Sequence, residues 1–83
     1  MTGSLHTPGY RRVVAALVAA RKARGMSQQD VADRLRKPQS YVAKLERAER
    51  RLDIVEFIAL SRALGVDPAE LFADVARAAD SKR

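Results

Sequence analysis

The chain has 83 residues, 47% of them apolar, with sixteen Lys and Arg against ten Asp and Glu and a formal net charge of +6. That length allows one small domain; with no Cys and a single His (His6), a disulfide framework, a thiolate or paired-imidazole metal site and a cysteine nucleophile are excluded, so neither metal nor cofactor is expected. The charge is one-sided: twelve bases and four acids lie at or before Arg51, a net +8, and the rest carries −2, which draws a polyanion to one half of the molecule.

The first nine residues, MTGSLHTPG, read as a disordered leader, with the domain at residues 10–79 and a frayed tail at 80–83. Two starts suit the first helix: Thr7 as cap with Pro8 in the first position, or Tyr10 after Gly9. Tyr10, Val13, Val14, Leu17, Val18 and Arg21 then recur at helical spacing until Gly25 stops the helix. Nothing resembles a signal peptide or a membrane span: the longest apolar run, Val13 to Ala20, is eight residues between basic pairs. A soluble, cytoplasmic protein is the default expectation.

Ser27 and Asp30 form a capping signal for the second helix, whose inner face is Val31, Ala32 and Leu35. Pro38 disfavours helix at Lys37 but suits the first turn of a third helix, which starts at Pro38 or Gln39. Val42 and Leu45 are its buried stripe, while Gln39, Ser40, Ala43, Lys44 and Arg47 face elsewhere. Asp53 with Glu56 and Asp67 with Pro68 and Glu70 open two more helices, separated by Gly65. No segment alternates with period two, so the fold class is all-α. Val31, Leu35, Val42, Leu45, Phe57, Leu60, Leu64 and Phe72 are the expected core.

Two short helices joined by a three- or four-residue turn can lay the second in a major groove of duplex DNA. Gln39 can pair bidentately with adenine, Lys44 can donate to guanine, and Ser40 can bond to either. Arg36, Lys37, Arg47, Arg50 and Arg51 are placed to neutralise phosphates, and Gln28 can bring its amide to another at the start of the second helix. The acids are accounted for otherwise: Asp53, Asp67 and Glu70 serve helix starts, and no Gly-rich phosphate loop is present. No enzymatic activity is expected.

The stretches Ser27-Gln28-Gln29-Asp30-Val31-Ala32, Gln39 to Glu46, Glu49-Arg50-Arg51 and Ala63-Leu64-Gly65-Val66 resemble the Cro and phage-repressor type of helix-turn-helix domain, the Xre family. The resemblance covers about Val14 to Phe72. It implies a five-helix, lambda-repressor-like bundle that binds a short palindrome as a homodimer and regulates transcription. By position it implies a phosphate contact for Gln28, base contacts for Gln39, Ser40 and Lys44, a place along the DNA backbone for Tyr41, and an ion pair between Arg21 and Glu46. Two residues depart from it: Arg36 and Ala48 stand where the family usually has Gly. Arg36 then takes a positive φ, at a cost of about 1–2 kcal/mol, or the turn changes shape; Ala48 lets the third helix run on.

Leu71, Phe72, Val75, Ala76 and Ala79, an apolar stretch longer than one core contact needs, are the candidate dimerisation residues. A different class of function remains open: an antitoxin or adaptor whose last helix holds a protein partner, with DNA binding autoregulatory. Non-specific coating of DNA is a third.

Overall fold

Four helix ends in the computed structural model, which describes residues 7–80, close on a left-handed residue. The five helices are α1 (Pro8–Ala23), α2 (Gln28–Leu35), α3 (Gln39–Glu46), α4 (Ile54–Ala63) and α5 (Pro68–Ala79). Gly25, Arg36, Ala48 and Gly65 have φ of 67°, 59°, 58° and 75°. At each of them the following N–H reaches back to a carbonyl five residues earlier, as in Lys37 to Ala32 at 3.0 Å and Glu49 to Lys44 at 2.9 Å. These are Schellman ends, which satisfy orphan carbonyls and reverse the chain in two residues. Arg36 therefore keeps the tight turn between α2 and α3 with a strained backbone. Ala48 likewise ends α3 instead of letting it run on, and Ala48 is itself buried.

The starts are equally local. Ser27 and Asp30 bond reciprocally at 3.0 and 2.8 Å, and Asp53 and Glu56 at 2.7 and 3.0 Å, two complete capping boxes. Thr7 accepts from the Tyr10 N–H and Pro8 opens α1, so of the two expected starts the helix takes the earlier one. Asp67 makes no side-chain cap hydrogen bond, and Pro68 alone marks the start of α5. Asp80 is the C-cap of α5. The remainder of the expected leader, with His6, and residues 81–83 of the expected tail lie outside the described residues.

The core is built from Val31, Ala32, Val42, Phe57, Leu60, Ala63, Leu64, Leu71 and Val75. α1 packs along α5 and across α3, and α2 packs on α3 and α4. Two arginines bind helix ends: Arg12 donates twice to the Ala79 carbonyl, at 3.0 and 3.3 Å, and Arg34 donates to that of Ala63 at 3.0 Å. Each places a cation on the negative end of a helix, α5 and α4 respectively. Buried Ser61 is satisfied by the Phe57 carbonyl at 2.7 Å.

Three expectations about the interior need correcting. Phe72 is 55% exposed; it meets Phe57 edge-on, 6.2 Å between centroids, from outside the core. Ala43 is buried, because α3 turns three residues inward and not two. Leu71 and Val75, four apart on α5 and expected at a dimer face, are buried in the protomer's own core.

Arg36→Gly should raise stability. Relief of about 1–2 kcal/mol of left-handed strain exceeds the extra entropy that Gly gives the unfolded chain, about 0.4–1 kcal/mol. A net gain of up to roughly 1 kcal/mol, read as a higher urea midpoint at unchanged slope, is expected; a lower midpoint would show the turn to be unstrained.

Candidate nucleic-acid interface

The helix after the turn is held by one face and presents the other. Val42, Ala43 and Leu45 are buried, and Gln39, Ser40 and Lys44 are exposed. Helical spacing makes this possible: residues 40 and 44 share one side, and 42 and 45 share another. Pro38 supplies the cap geometry with φ −68° and ψ 154°, pre-set by its ring.

A chain of polar contacts joins α1, α2 and α3. Arg21 donates to both Glu46 oxygens, at 2.7 and 2.9 Å, and to the Met26 carbonyl at 2.8 Å. The pair is nearly buried, with side chains 11% and 14% exposed. Glu46 is the last residue of α3, where the helix dipole disfavours an acid, and Arg21 offsets that. The Glu46 hydrogen bonds in turn hold the Arg21 pKa above its ordinary value. Gln28 adds a third donor, Nε2 to Glu46 Oε1 at 2.9 Å, and its own Oε1 accepts from Gln39 Nε2 at 2.6 Å.

A second cluster surrounds Tyr41. The Lys37 ammonium sits 5.2 Å from the ring centroid and the Arg50 guanidinium 4.8 Å, both within cation–π range. Arg50 also forks onto Glu56 at 2.6 and 3.0 Å and bonds to the Arg51 carbonyl. The Arg50 hydrogen bonds, then the Asp53 N–H, hold the Glu56 carboxyl at a pKa of about 2 instead of 4.5. Burial pushes the Tyr41 phenol up, helped by the negative charge of Glu56. On the other side, Tyr10 donates its hydroxyl to the Arg50 carbonyl at 3.3 Å and lies 5.8 Å from the Arg51 guanidinium.

The expected phosphate contacts thus divide. Among the described residues, Arg36, Lys37 and Lys44 enter no ion pair. Arg47 pairs with Glu49 at 2.9 Å, but both side chains are more than half exposed. Such a pair is worth about 0–1 kcal/mol, so a phosphate can replace the carboxylate. Arg50 is different: its charge is met by Glu56 and its plane by Tyr41, so it braces the ring and is the weakest of the expected phosphate ligands. Gln28, expected only at a phosphate, also links Glu46 to Gln39. Sequence alone misses that link, because the partners lie 18 and 11 residues apart. Arg12 and Arg34 are likewise committed to helix ends.

No helix among the described residues is long and apolar enough to cross a membrane, and they contain no cluster of acids and imidazoles fit to hold a metal ion. The helix-turn-helix family model HTH_3 matches residues 17–71. The chain is similar to an XRE-family like protein from Pseudomonas syringae pv. tomato str. DC3000, with 41% identity and a TM-score of 0.80 over 92% of this chain and 93% of that one. It also shares its fold with the clp gene regulator ClgR from C. glutamicum, at 22% identity and a TM-score of 0.76, over 88% and 94% of the two chains. No curated protein matches the sequence.

Glu56 gives a pH dependence of defined sign. Its folded pKa lies below the ordinary value, so its stabilising effect is complete above about pH 4.5 and is lost as pH falls toward 2. Thermal melts of Glu56→Gln should therefore vary less over that range than those of the wild type. Parallel curves would mean that Glu56 is not held by Arg50 in solution.

Proposed function

We propose that this chain, which belongs to the Xre family of helix-turn-helix DNA-binding transcription regulators, represses transcription by binding a short palindromic operator as a homodimer. The exposed set Gln39, Ser40 and Lys44, on a helix anchored by its opposite face, carries the reading. A helix such as α3, about 10–12 Å across with its side chains, fits a major groove about 12 Å wide. Gln39 takes adenine, Lys44 a guanine O6 or N7, and Ser40 either base. Arg36, Lys37, Arg47 and Arg51, with Gln28, neutralise phosphates on both sides, while Tyr41 lies along the backbone with Arg50 behind it. Repression follows from occupancy of the operator, which places the protein at the nucleoid in the cytoplasm.

Homodimerisation has support in size and surface. One protomer, 32 × 27 × 21 Å, carries one α3 and reads one half-site; a palindrome presents two, about 34 Å apart. With Leu71 and Val75 inside, the face left for a second copy is Ile54, Val55, Ile58 and Phe72, exposed by 66, 70, 36 and 55% in chain order. Ile54, Val55 and Ile58 fall within about 100° of arc on α4, beside the Phe57 edge that meets Phe72. Ala76 and Ala79, half-buried on α5, can only border this face. An antitoxin or adaptor would use the same apolar face for a different polypeptide, and a stoichiometric foreign chain on native purification would favour that reading. Phe72→Glu, at a position more than half exposed, should shift the mass seen by light scattering from dimer to monomer. A wild type that is monomeric both free and on DNA would end the dimer proposal.

The base-reading and phosphate roles separate in selection from a randomised duplex library. Lys44→Ala should relax preference at one base pair and cost roughly 1–3 kcal/mol on the best site. Lys37→Ala should weaken all sequences alike and lower the salt slope by about 0.9. If Lys44→Ala left the ranking of sites unchanged, Lys44 would not read a base.

A further inference from the structure

We infer that Glu56 competes with DNA phosphate for Arg50 and so keeps one cation beside α3 off the backbone of the duplex. The inference rests on the proposal that α3 faces DNA, and it adds a residue of α4 that lowers affinity instead of supplying it.

Two cations lie over the Tyr41 ring, Lys37 at 5.2 Å and Arg50 at 4.8 Å from the centroid. Both therefore stand beside a side chain proposed to lie along the DNA backbone. Lys37 enters no ion pair among the described residues, whereas Arg50 is closed by Glu56. The closure uses the contact that would serve a phosphate. Arg50 Nη2 donates to Glu56 Oε2 at 2.6 Å, and Nη1 to Oε1 at 3.0 Å. A guanidinium makes the same two-pronged contact with a carboxylate or a phosphate, and one pair of amino groups cannot give it to both. The Arg50 side chain is nonetheless 39% exposed, so a phosphate reaches it once Glu56 is gone.

Glu56 holds its place without help from Arg50. It is the third residue of α4, where its Oε1 also accepts the Asp53 N–H at 3.0 Å and Asp53 returns a bond at 2.7 Å. The capping box seats the carboxylate, and the positive end of the helix favours its charge. A phosphate that took Arg50 would have to displace a group already in position, and would then face that group as a like charge. One phosphate neutralised is worth roughly fivefold in affinity at about 0.15 M salt, from a slope of about 0.9. That factor is what Glu56 withholds from each protomer.

The test measures binding of full-length protein to its selected duplex and to a scrambled one across a salt series, each variant first checked for cooperative melting. Glu56→Gln keeps the side-chain length and an amide oxygen for the Asp53 N–H, as Gln does in a capping box. It should bind both duplexes roughly fivefold tighter and steepen the salt slope by about 0.9 per protomer. In an Arg50→Met background the same substitution should no longer steepen the slope. Arg50→Met by itself should leave the wild-type slope in place, because Arg50 rests on no phosphate there; this decides alone if Glu56→Gln does not fold. Unchanged or weaker binding by Glu56→Gln would make Arg50 a brace for Tyr41 only and overturn the competition. A gain that persists in the Arg50→Met background would overturn it too, since Glu56 would then merely repel DNA. If the wild type binds neither duplex at low salt, the proposed function fails first, and the competition fails with it.

Discussion

The nearly buried pair of Arg21 and Glu46 is the constraint on which the presentation of α3 depends. An eight-residue helix is marginal by itself, and α3 buries only Val42, Ala43 and Leu45. Burial of a Val or Leu side chain contributes about 1.5–3 kcal/mol. Removing one partner of a buried ion pair costs about 3–5 kcal/mol, because the other is left uncompensated. The tether therefore matters as much as either large apolar anchor. It also acts in several directions at once, since Arg21 holds the Met26 carbonyl before α2 and Glu46 holds Gln28 within it. The two halves of the helix-turn-helix are fixed to α1 by the same few atoms.

Charge in this molecule is allocated before it is offered to a ligand. The basic half of the sequence suggests a broad cationic surface, but Arg12 and Arg34 cap helix ends and Arg21 is internal. Arg50 is neutralised by Glu56 while it stacks on Tyr41. Around α3, Arg36, Lys37 and Lys44 enter no ion pair among the described residues, and Arg47 is held only by an exposed one.

Much of the fold was legible because its signals are local. Ser27 with Asp30, Asp53 with Glu56, Pro38 and Gly25 each act over three or four residues, and the helix bounds follow from them. The turn at Arg36 was legible only as a choice between strain and a different shape. The choice is settled by tertiary packing, which places Val31 and Val42 in one core and requires the tight turn. On α5 the apolar run at Leu71 and Phe72 gave no sign of which residue faces inward. A 100° step per residue separates them, and Leu71 is buried while Phe72 is exposed. The hydrogen bonds from Glu46 through Gln28 to Gln39 were invisible for a different reason: they need α2 and α3 in place, and glutamines on exposed helix turns carry no pattern of their own.

The most direct test of α3 as the reading element is amide NMR of the isotope-labelled chain titrated with its selected duplex. The largest shifts should fall on Gln39, Ser40 and Lys44 and on the side-chain amides of Gln28 and Gln39, with smaller ones at Arg36 and Lys37. Shifts concentrated instead on Ile54, Ile58 and Phe72, with α3 undisturbed, would contradict DNA recognition by this face.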